Sequence, residues 1–342
     1  MAPFLTVLTT PIPGERQRLT REVRRRVRRW VKPGAPLPSA SPYPGHFALV
    51  RSVVEGLRTI GADFNFNPGR LNGLARVVYA PANEALLQAA EWRRLGRIDY
   101  LVAGPVNALF ADECDAILQN PAIDRLIVAH RWVLEFFRDA PGLRAKSAAC
   151  PCGVDADVWK PSGRAERKRA ALVYWKSGDE TFCEQVERVV RMCGLEPRRI
   201  CSRPGEHAMF SPVDYRRVLD ESAIGVFLSA FETQGLALAE AWSMDVPTVV
   251  WDPQGMAHWR GRSFTSHSSA PYLTPATGRP WRTLDELEPA LRGVLADRSS
   301  FQPRAWVLAN MTDAICSAAL LNIIRAGAEQ ARGIPRPVDL RI

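Results

Sequence analysis

The sequence of 342 residues is poor in the groups that build metal centres. Five histidines lie far apart, and seven cysteines, an odd number, show no metal-ligand spacing. No metal site is therefore expected, and unpaired thiols point to a reducing, cytoplasmic setting. Cys150-Pro151-Cys152 is the single close pair; a C-x-C is a poor zinc clamp, and packing is the simpler reading. No apolar run reaches the roughly 18 residues of a membrane span, and the N-terminus lacks the apolar core of a secretory leader. Internal repeats and low-complexity tracts are also missing.

What is present suits a soluble chain with two cores. Hydrophobic residues make up 46% and charged residues 24%, ordinary values for a globular protein. The length exceeds one typical core and fits two domains of about 150–190 residues.

The net charge of +9 is uneven. Residues 1–32 hold eight arginines and Lys32 against Glu15 and Glu22, so this stretch alone carries +7. Between Arg16 and Lys32 the apolar residues Leu19, Val23, Val27, Trp30 and Val31 fall on one helical face, ringed by arginine. A basic amphipathic helix of this kind lies on anionic bilayers. A solvated helix packed on its own domain has the same pattern, and a nucleic-acid contact is a third reading. The rest of the chain lacks the basic patches and interleaved aromatics of a nucleic-acid path, so no nucleic-acid partner is expected.

Apolar runs alternate with helical patterns along the whole chain. Strands are expected at Phe4–Leu8, Ala62–Phe66, Ala75–Ala80, Tyr100–Gly104 and Ile123–Ala129. Helices are expected at Gly45–Leu57, Asn83–Leu95 and Trp132–Phe137. A second series follows: strand Ala170–Trp175, helix Glu180–Met192, strand Arg198–Cys201 and helix Pro212–Asp220, with closing helices at Leu284–Leu295 and Thr312–Ile324. Such alternation means βαβ units and parallel sheets, an α/β class.

One stretch carries chemistry. Ile224–Leu228 reads as a buried strand, Phe231–Gly235 as a turn, Leu236–Met244 as a helix and Thr248–Trp251 as the next strand. Glu232 sits in the turn and Glu240 about two turns into the helix. Between them Gln234, Gly235 and Leu236 form a helix start, where free N–H groups and the helix dipole favour a phosphate. Ligands of open α/β sheets bind outside the carboxyl ends of the strands. Two carboxylates flanking a phosphate-binding turn suit a nucleotide sugar. Lys176, after the strand Ala170–Trp175, faces the same crevice and can place a charge on a leaving diphosphate. Arg203 ends the next strand and can contact base or phosphate. His130 also ends a strand, where ligands collect.

Glu232-x7-Glu240, with Gly235 three residues after the first glutamate, resembles the E-x7-E motif of retaining GT-B glycosyltransferases. That motif usually reads Glu-Gly-Phe-Gly where this chain has Glu-Thr-Gln-Gly. Gly153-Val154-Asp155, with Trp159 and Pro161, is similar to the segment by which that family enters its second domain. The resemblance implies a GT-B fold of two Rossmann-like βαβ domains facing each other across a cleft. The domains would be 1–148 on the acceptor side and 149–325 on the donor side, with a tail at 326–342 and a last helix returning to the first domain. It implies that Glu232 contacts the transferred sugar and Glu240 the ribose hydroxyls. Gly45 and His46 resemble the family's glycine-rich loop, His46 touching the sugar or the acceptor proton; a capping residue in a wet loop is the plain alternative. The donor would be a nucleotide-diphosphate sugar and the acceptor a glycan, a lipid-linked glycan or another hydroxyl, with no cofactor or metal. No Asp-x-Asp triplet is placed for a metal, since Asp155-Ala156-Asp157 belongs to the entry segment. Two rivals stay open: a nucleotide-sugar epimerase or hydrolase of the same fold, and a non-catalytic, membrane-associated binding module.

The basic segment yields the first test. Each lysine or arginine near an anionic surface contributes about 1 kcal/mol, screened within about 8–10 Å at ordinary salt. Full-length protein is expected to sediment with vesicles in proportion to their anionic lipid and to be released by high salt. A chain lacking residues 16–32 should stay in solution. Equal sedimentation of both would leave the segment as a solvated helix.

Overall fold

The computed structural model describes residues 3–12, 45–105, 108–163, 169–202 and 211–333, the side chains of 45–47 excepted. The basic segment 16–32, Arg203 and His207 lie outside these residues, as does the chain from 334 onwards. The chain divides into two units, Met1–Cys150 with Ser317–Ile342, and Pro151–Cys316. Among the described residues no helix is long and apolar enough to cross a membrane.

In the first unit the described residues form a six-stranded sheet of order β2-β1-β3-β4-β5-β6. The strands are β1 (Leu5–Val7), β2 (Phe64–Phe66), β3 (Val77–Ala80), β4 (Tyr100–Ala103), β5 (Arg125–Val128) and β6 (Ser147–Ala149). Every pairing is parallel. β3 and β4 are buried at every residue, as a parallel sheet covered on both faces requires. Helix α1 (Gly45–Thr59) lays Val50, Val53, Val54 and Leu57 on one face of this sheet, the three-and-four spacing of an apolar helical stripe. Helix α2 (Asn83–Arg94) buries Leu86, Ala89 and Ala90. The expected helix at Trp132–Phe137 is a 3-10 turn, Arg131–Phe137, and is followed by the short helix α3 (Pro141–Ala145).

The second unit carries a parallel five-stranded sheet of order β13-β10-β9-β7-β8. Its strands are β7 (Ala170–Trp175), β8 (Glu196–Cys201), β9 (Ser222–Leu228), β10 (Thr248–Trp251) and β13 (Gly278–Trp281), with an antiparallel hairpin of β11 (Met256–Trp259) and β12 (Arg262–Thr265) between the last two. Helices α4 (Glu180–Met192), α5 (Pro212–Glu221), α6 (Leu236–Ser243), α7 (Leu284–Ala296) and α8 (Pro303–Asn310) complete it. Residues two apart on a strand share a face, and the two cores follow that rule. Val173, Trp175, Val226, Leu228 and Val249 pack with Val186 and Val190 of α4 and Leu287 and Leu291 of α7. Leu172, Tyr174, Phe227 and Val250 pack with Tyr215 of α5 and Leu238 and Trp242 of α6. The sheet is therefore helix-covered on both sides, the doubly wound arrangement.

The segment Gly153-Val154-Asp155 is pinned in place. Val154 donates its N–H to Met311 O at 2.9 Å and accepts that of Asp313 at 3.1 Å. A Cβ on Gly153 would stand 2.5 Å from the Asp313 backbone, so only glycine allows this approach. Helix α9 (Asp313–Gly333) then runs past the position where a tail was expected to begin at 326. Residues 325–333 are rich in alanine, arginine, glutamate and glutamine, good helix formers, and Ala328 is buried in the core of the first unit with Leu320, Leu321 and Ile324.

Gly327 gives this packing a test. Alanine in a helix is favoured over glycine by about 1 kcal/mol, yet a Cβ here would meet the Tyr100 hydroxyl and ring of β4. Overpacking costs typically about 1–3 kcal/mol. Gly327→Ala is therefore expected to lower unfolding stability in urea, and Tyr100→Phe to restore part of the loss. A stabilised Gly327→Ala would show that α9 does not press on β4.

Candidate functional site

The strand ends of the second unit assemble the expected residues. β7 and β9 pair in register, Trp175 beside Leu228, and both Lys176 N and Ser177 N donate to Leu228 O, at 3.0 and 2.9 Å. The turn after β7 is thus held against the turn after β9. Lys176 Nζ stands 2.6 Å from Glu232 Oε1. Ser229 Oγ lies 3.0 Å from the same carboxylate oxygen, and Ser177 Oγ accepts from Ala230 N at 3.0 Å. Glu232 N donates to Ser268 O at 3.0 Å. With side-chain exposures of 34% for Lys176 and 16% for Glu232, the pair is shielded yet reachable from outside.

Gly235 adopts φ +71 at the start of α6, a left-handed conformation that glycine takes without strain. It contributes no side-chain cap, and no acidic residue occupies the first turn of α6, which leaves that end electropositive. Gln234 is buried and spends both ends of its amide on Cys152: Oε1 accepts from Cys152 N at 3.0 Å and Nε2 donates to Cys152 O at 3.2 Å. Its side chain ties the phosphate turn to the entry segment. Leu236 follows Gly235 as the first residue of α6.

Glu240 lies half-buried on the second turn of α6. Its charge bears on two tyrosines. Burial first, then the carboxylates of Glu232 and Glu240, push the Tyr174 hydroxyl up, and burial and Glu240 do the same to Tyr215. Both tyrosines stay neutral and act as donors, Tyr174 to Ser202 Oγ at 2.8 Å and Tyr215 to Ala237 O at 2.7 Å. Under α6 Tyr174 is stacked on Phe227 at 5.2 Å, and the Tyr215 ring is tilted 59° to that of Tyr174 at 5.8 Å.

The remaining candidates lie elsewhere. Gly45 and His46 open α1 in the first unit. His130 caps the 3-10 turn after β5, Nδ1 accepting from Trp132 N at 3.2 Å. Burial, then the neighbouring Arg131, lower its pKa, so the ring is neutral near pH 7 with its proton on Nε2. Arg203 falls outside the described residues. Cys150 and Cys152 are each buried, and burial pushes the Cys150 thiol up to about 12, which makes a thiolate ligand or nucleophile there costly. Among the described residues no group of three or more His, Cys, Asp or Glu is placed to hold a metal.

Sequence reasoning missed Ser177, Ser229, Ser268 and the hairpin β11–β12. The hairpin had one signal, Gly261; with Arg260 it forms the two-residue turn, at φ +47 and +78, the left-handed pair of a type I′ turn. Arginine in place of the usual asparagine hid it.

No family model matches the sequence, and no curated protein matches it. Solved structures do match. HepE of Anabaena in complex with UDP and glucose superimposes with a TM-score of 0.55 and 12% identity over 95% of this chain and 100% of that one. Sucrose-phosphate synthase of Thermosynechococcus elongatus gives 0.51 and 12% over 94% and 98%. The catalytic domain of starch synthase IV of Arabidopsis thaliana, bound to ADP and acarbose, gives 0.52 and 9% over 84% and 79%. These are GT-B glycosyltransferases. The fold is GT-B. At such identities the likeness is one of fold, two α/β units each with a parallel sheet.

The cap at His130 predicts a pH dependence. Its folded pKa is lowered from the ordinary 6.5, so the unfolded chain takes up the proton first. The stability it contributes is complete above about pH 6.5 and falls as pH drops toward the lowered value. His130→Asn keeps a capping acceptor that does not titrate. The stability difference between wild type and variant is expected to move against the wild type between about pH 7 and about pH 5 in urea titrations. A difference constant over that range would refute the assignment.

Proposed function

We propose that the chain is a glycosyltransferase that moves a sugar from a nucleoside diphosphate to a glycan, lipid-linked or other hydroxyl acceptor, with retention of configuration. One observation carries this reading: the Lys176–Glu232 pair stands at the carboxyl ends of β7 and β9, in the turn that leads to a glycine-started helix bearing Glu240. The shared fold adds support, since HepE is bound to UDP and glucose and starch synthase IV to ADP and acarbose.

The chemistry follows from charge. As the bond between the anomeric carbon and the β-phosphate oxygen breaks, positive charge builds on the sugar and negative charge on the diphosphate. Glu232 offsets the first electrostatically and is not assigned as a covalent nucleophile. Lys176 offers three N–H donors, one of them engaged with Glu232 at 2.6 Å, and the others serve the leaving phosphate. The start of α6, at Gln234, Gly235 and Leu236, holds the diphosphate through main-chain N–H groups. Positive charge from these sources makes a resident metal unnecessary in this reading. The acceptor hydroxyl forms the new bond on the face that the phosphate leaves, and its proton passes to the departing phosphate oxygen. Glu240 takes the two ribose hydroxyls. His46 is assigned to the transferred sugar or the acceptor proton, Gly45 and His130 to donor binding, and Arg203 to base or phosphate.

Glu240→Ala is expected to weaken nucleoside diphosphate binding by roughly 1.5–3 kcal/mol, the range for hydrogen bonds to a charged group. Glu232→Gln should lower turnover and leave nucleotide affinity nearly intact. A thermal-shift panel of UDP, GDP, ADP, dTDP and their sugars identifies the donor, because a ligand at 100 times its Kd stabilises by about 2.7 kcal/mol. NMR of the product should show the anomeric configuration of the donor. Donor turnover without an acceptor would favour an epimerase or hydrolase, and nucleotide binding without any turnover a non-catalytic module.

A further inference from the structure

Between β10 and β13 the chain leaves the sheet, and this excursion returns to the turn of Glu232 at two points. Its base is closed by Ser266 N donating to Gly255 O at 2.9 Å. The hairpin register pairs Ala257 with Phe264 and Trp259 with Arg262, which places these four on one face. Met256, His258, Ser263 and Thr265 form the other, exposed face. The inner face meets Phe231, the residue before Glu232. The Phe231 ring stands 5.0 Å from Phe264 and 6.2 Å from Trp259, nearly perpendicular to both. Past the hairpin, Ser268 O accepts the N–H of Glu232. One excursion thus holds the ring before the carboxylate and the backbone at the carboxylate.

The turn depends on such outside help. Residues 229–235 form no helix or strand of their own, and their N–H groups at Ala230 and Glu232 bond to Ser177 and Ser268 rather than within the turn. A carboxylate in an unsupported turn would swing away from Lys176, whereas a ring wedged edge-to-face between two others has few places to go. Reacting groups misplaced by about 1 Å lose on the order of a hundredfold in rate.

We propose that Trp259 and Phe264 are positioning residues, which hold the Glu232 carboxylate at Lys176 by clamping Phe231; this rests on the reading of Glu232 as the group that faces the donor sugar. The clamp acts on the reacting end of the site and leaves the Glu240 end alone, so it separates turnover from nucleotide affinity. A hairpin that merely covers apolar surface would not make that separation.

The experiment compares the full chain with Trp259→Leu, Phe264→Leu and the conservative Trp259→Phe. Amide exchange across 229–234 reads the turn, and kcat with the nucleoside diphosphate Kd reads the site. The leucine variants should exchange about tenfold faster across 229–234 while β9 keeps its protection. Their kcat should fall about tenfold with the nucleotide Kd unchanged within about twofold, and Trp259→Phe should resemble the wild type. Wild-type exchange in the leucine variants overturns the clamp, as does a loss of nucleotide affinity equal to the loss of turnover. A wild-type chain that neither binds nor turns over nucleotide sugars would instead refute the functional reading, and the exchange arm would still decide whether the hairpin holds the turn.

Discussion

Everything at the candidate site hangs from one carbonyl. Leu228 O receives the N–H groups of Lys176 and Ser177 together, so two loops from adjacent parallel strands start at the same level. From that alignment the rest follows: Ser177 reaches Ala230, Lys176 reaches Glu232, and the turn delivers Gly235 to the start of α6. A parallel sheet makes this arrangement cheap, because all its strands end on the same edge and their loops converge there. A one-residue slip of β9 against β7 would send the alternate set of side chains to each face. It would move Phe227 out of the core of Tyr174 and Trp242, and Leu228 out of the core of Val173 and Trp281 on the opposite face.

Much of this was legible in the sequence because the strands of the second unit are unbroken apolar runs. Ala170–Trp175 and Thr248–Trp251 have the bounds read from the residues alone. The edge elements were not legible. β13 reads Gly-Arg-Pro-Trp, a turn by composition, and Pro280 is tolerated there because the strand pairs only with β10. The 3-10 turn after β5 has apolar spacing close to that of a helix. Glutamates and glycine at a fixed spacing announced the site, whereas the Lys176–Glu232 bond spans 56 positions and exists only once the register of β7 and β9 is set. Gln234 shows the same limit: its two side-chain bonds to Cys152 span 82 positions and are visible only in three dimensions.

Polar bonds tie parts of the second unit together alongside its apolar cores. The Arg304 guanidinium donates to the carbonyls of Ala156, Trp159 and Ser243, and Ser243 Oγ donates to Trp159 O at 2.6 Å. With the Gln234 amide on Cys152, these bonds attach the entry segment 151–161 to α6 and α8. Unpaired, each buried carbonyl would cost free energy, so the set favours a single arrangement. The helix that carries Glu240 is thus held at its start through Gln234 and at its far end through Ser243 and Arg304.

The division of the chain has a consequence for its biosynthesis. The first unit is completed by α9, whose Leu320, Leu321 and Ile324 cover the same face as Val50, Val54 and Leu57 of α1. Between Cys150 and Ser317 a ribosome must make the whole second unit, which at about 5–20 residues per second takes on the order of 10–30 s. Throughout that interval the early strands and α1 wait with an apolar face uncovered, while the later-made unit already has every residue of its own sheet. The half of the protein synthesised first is the half that matures last, and a nascent-chain chaperone would find its binding surface there.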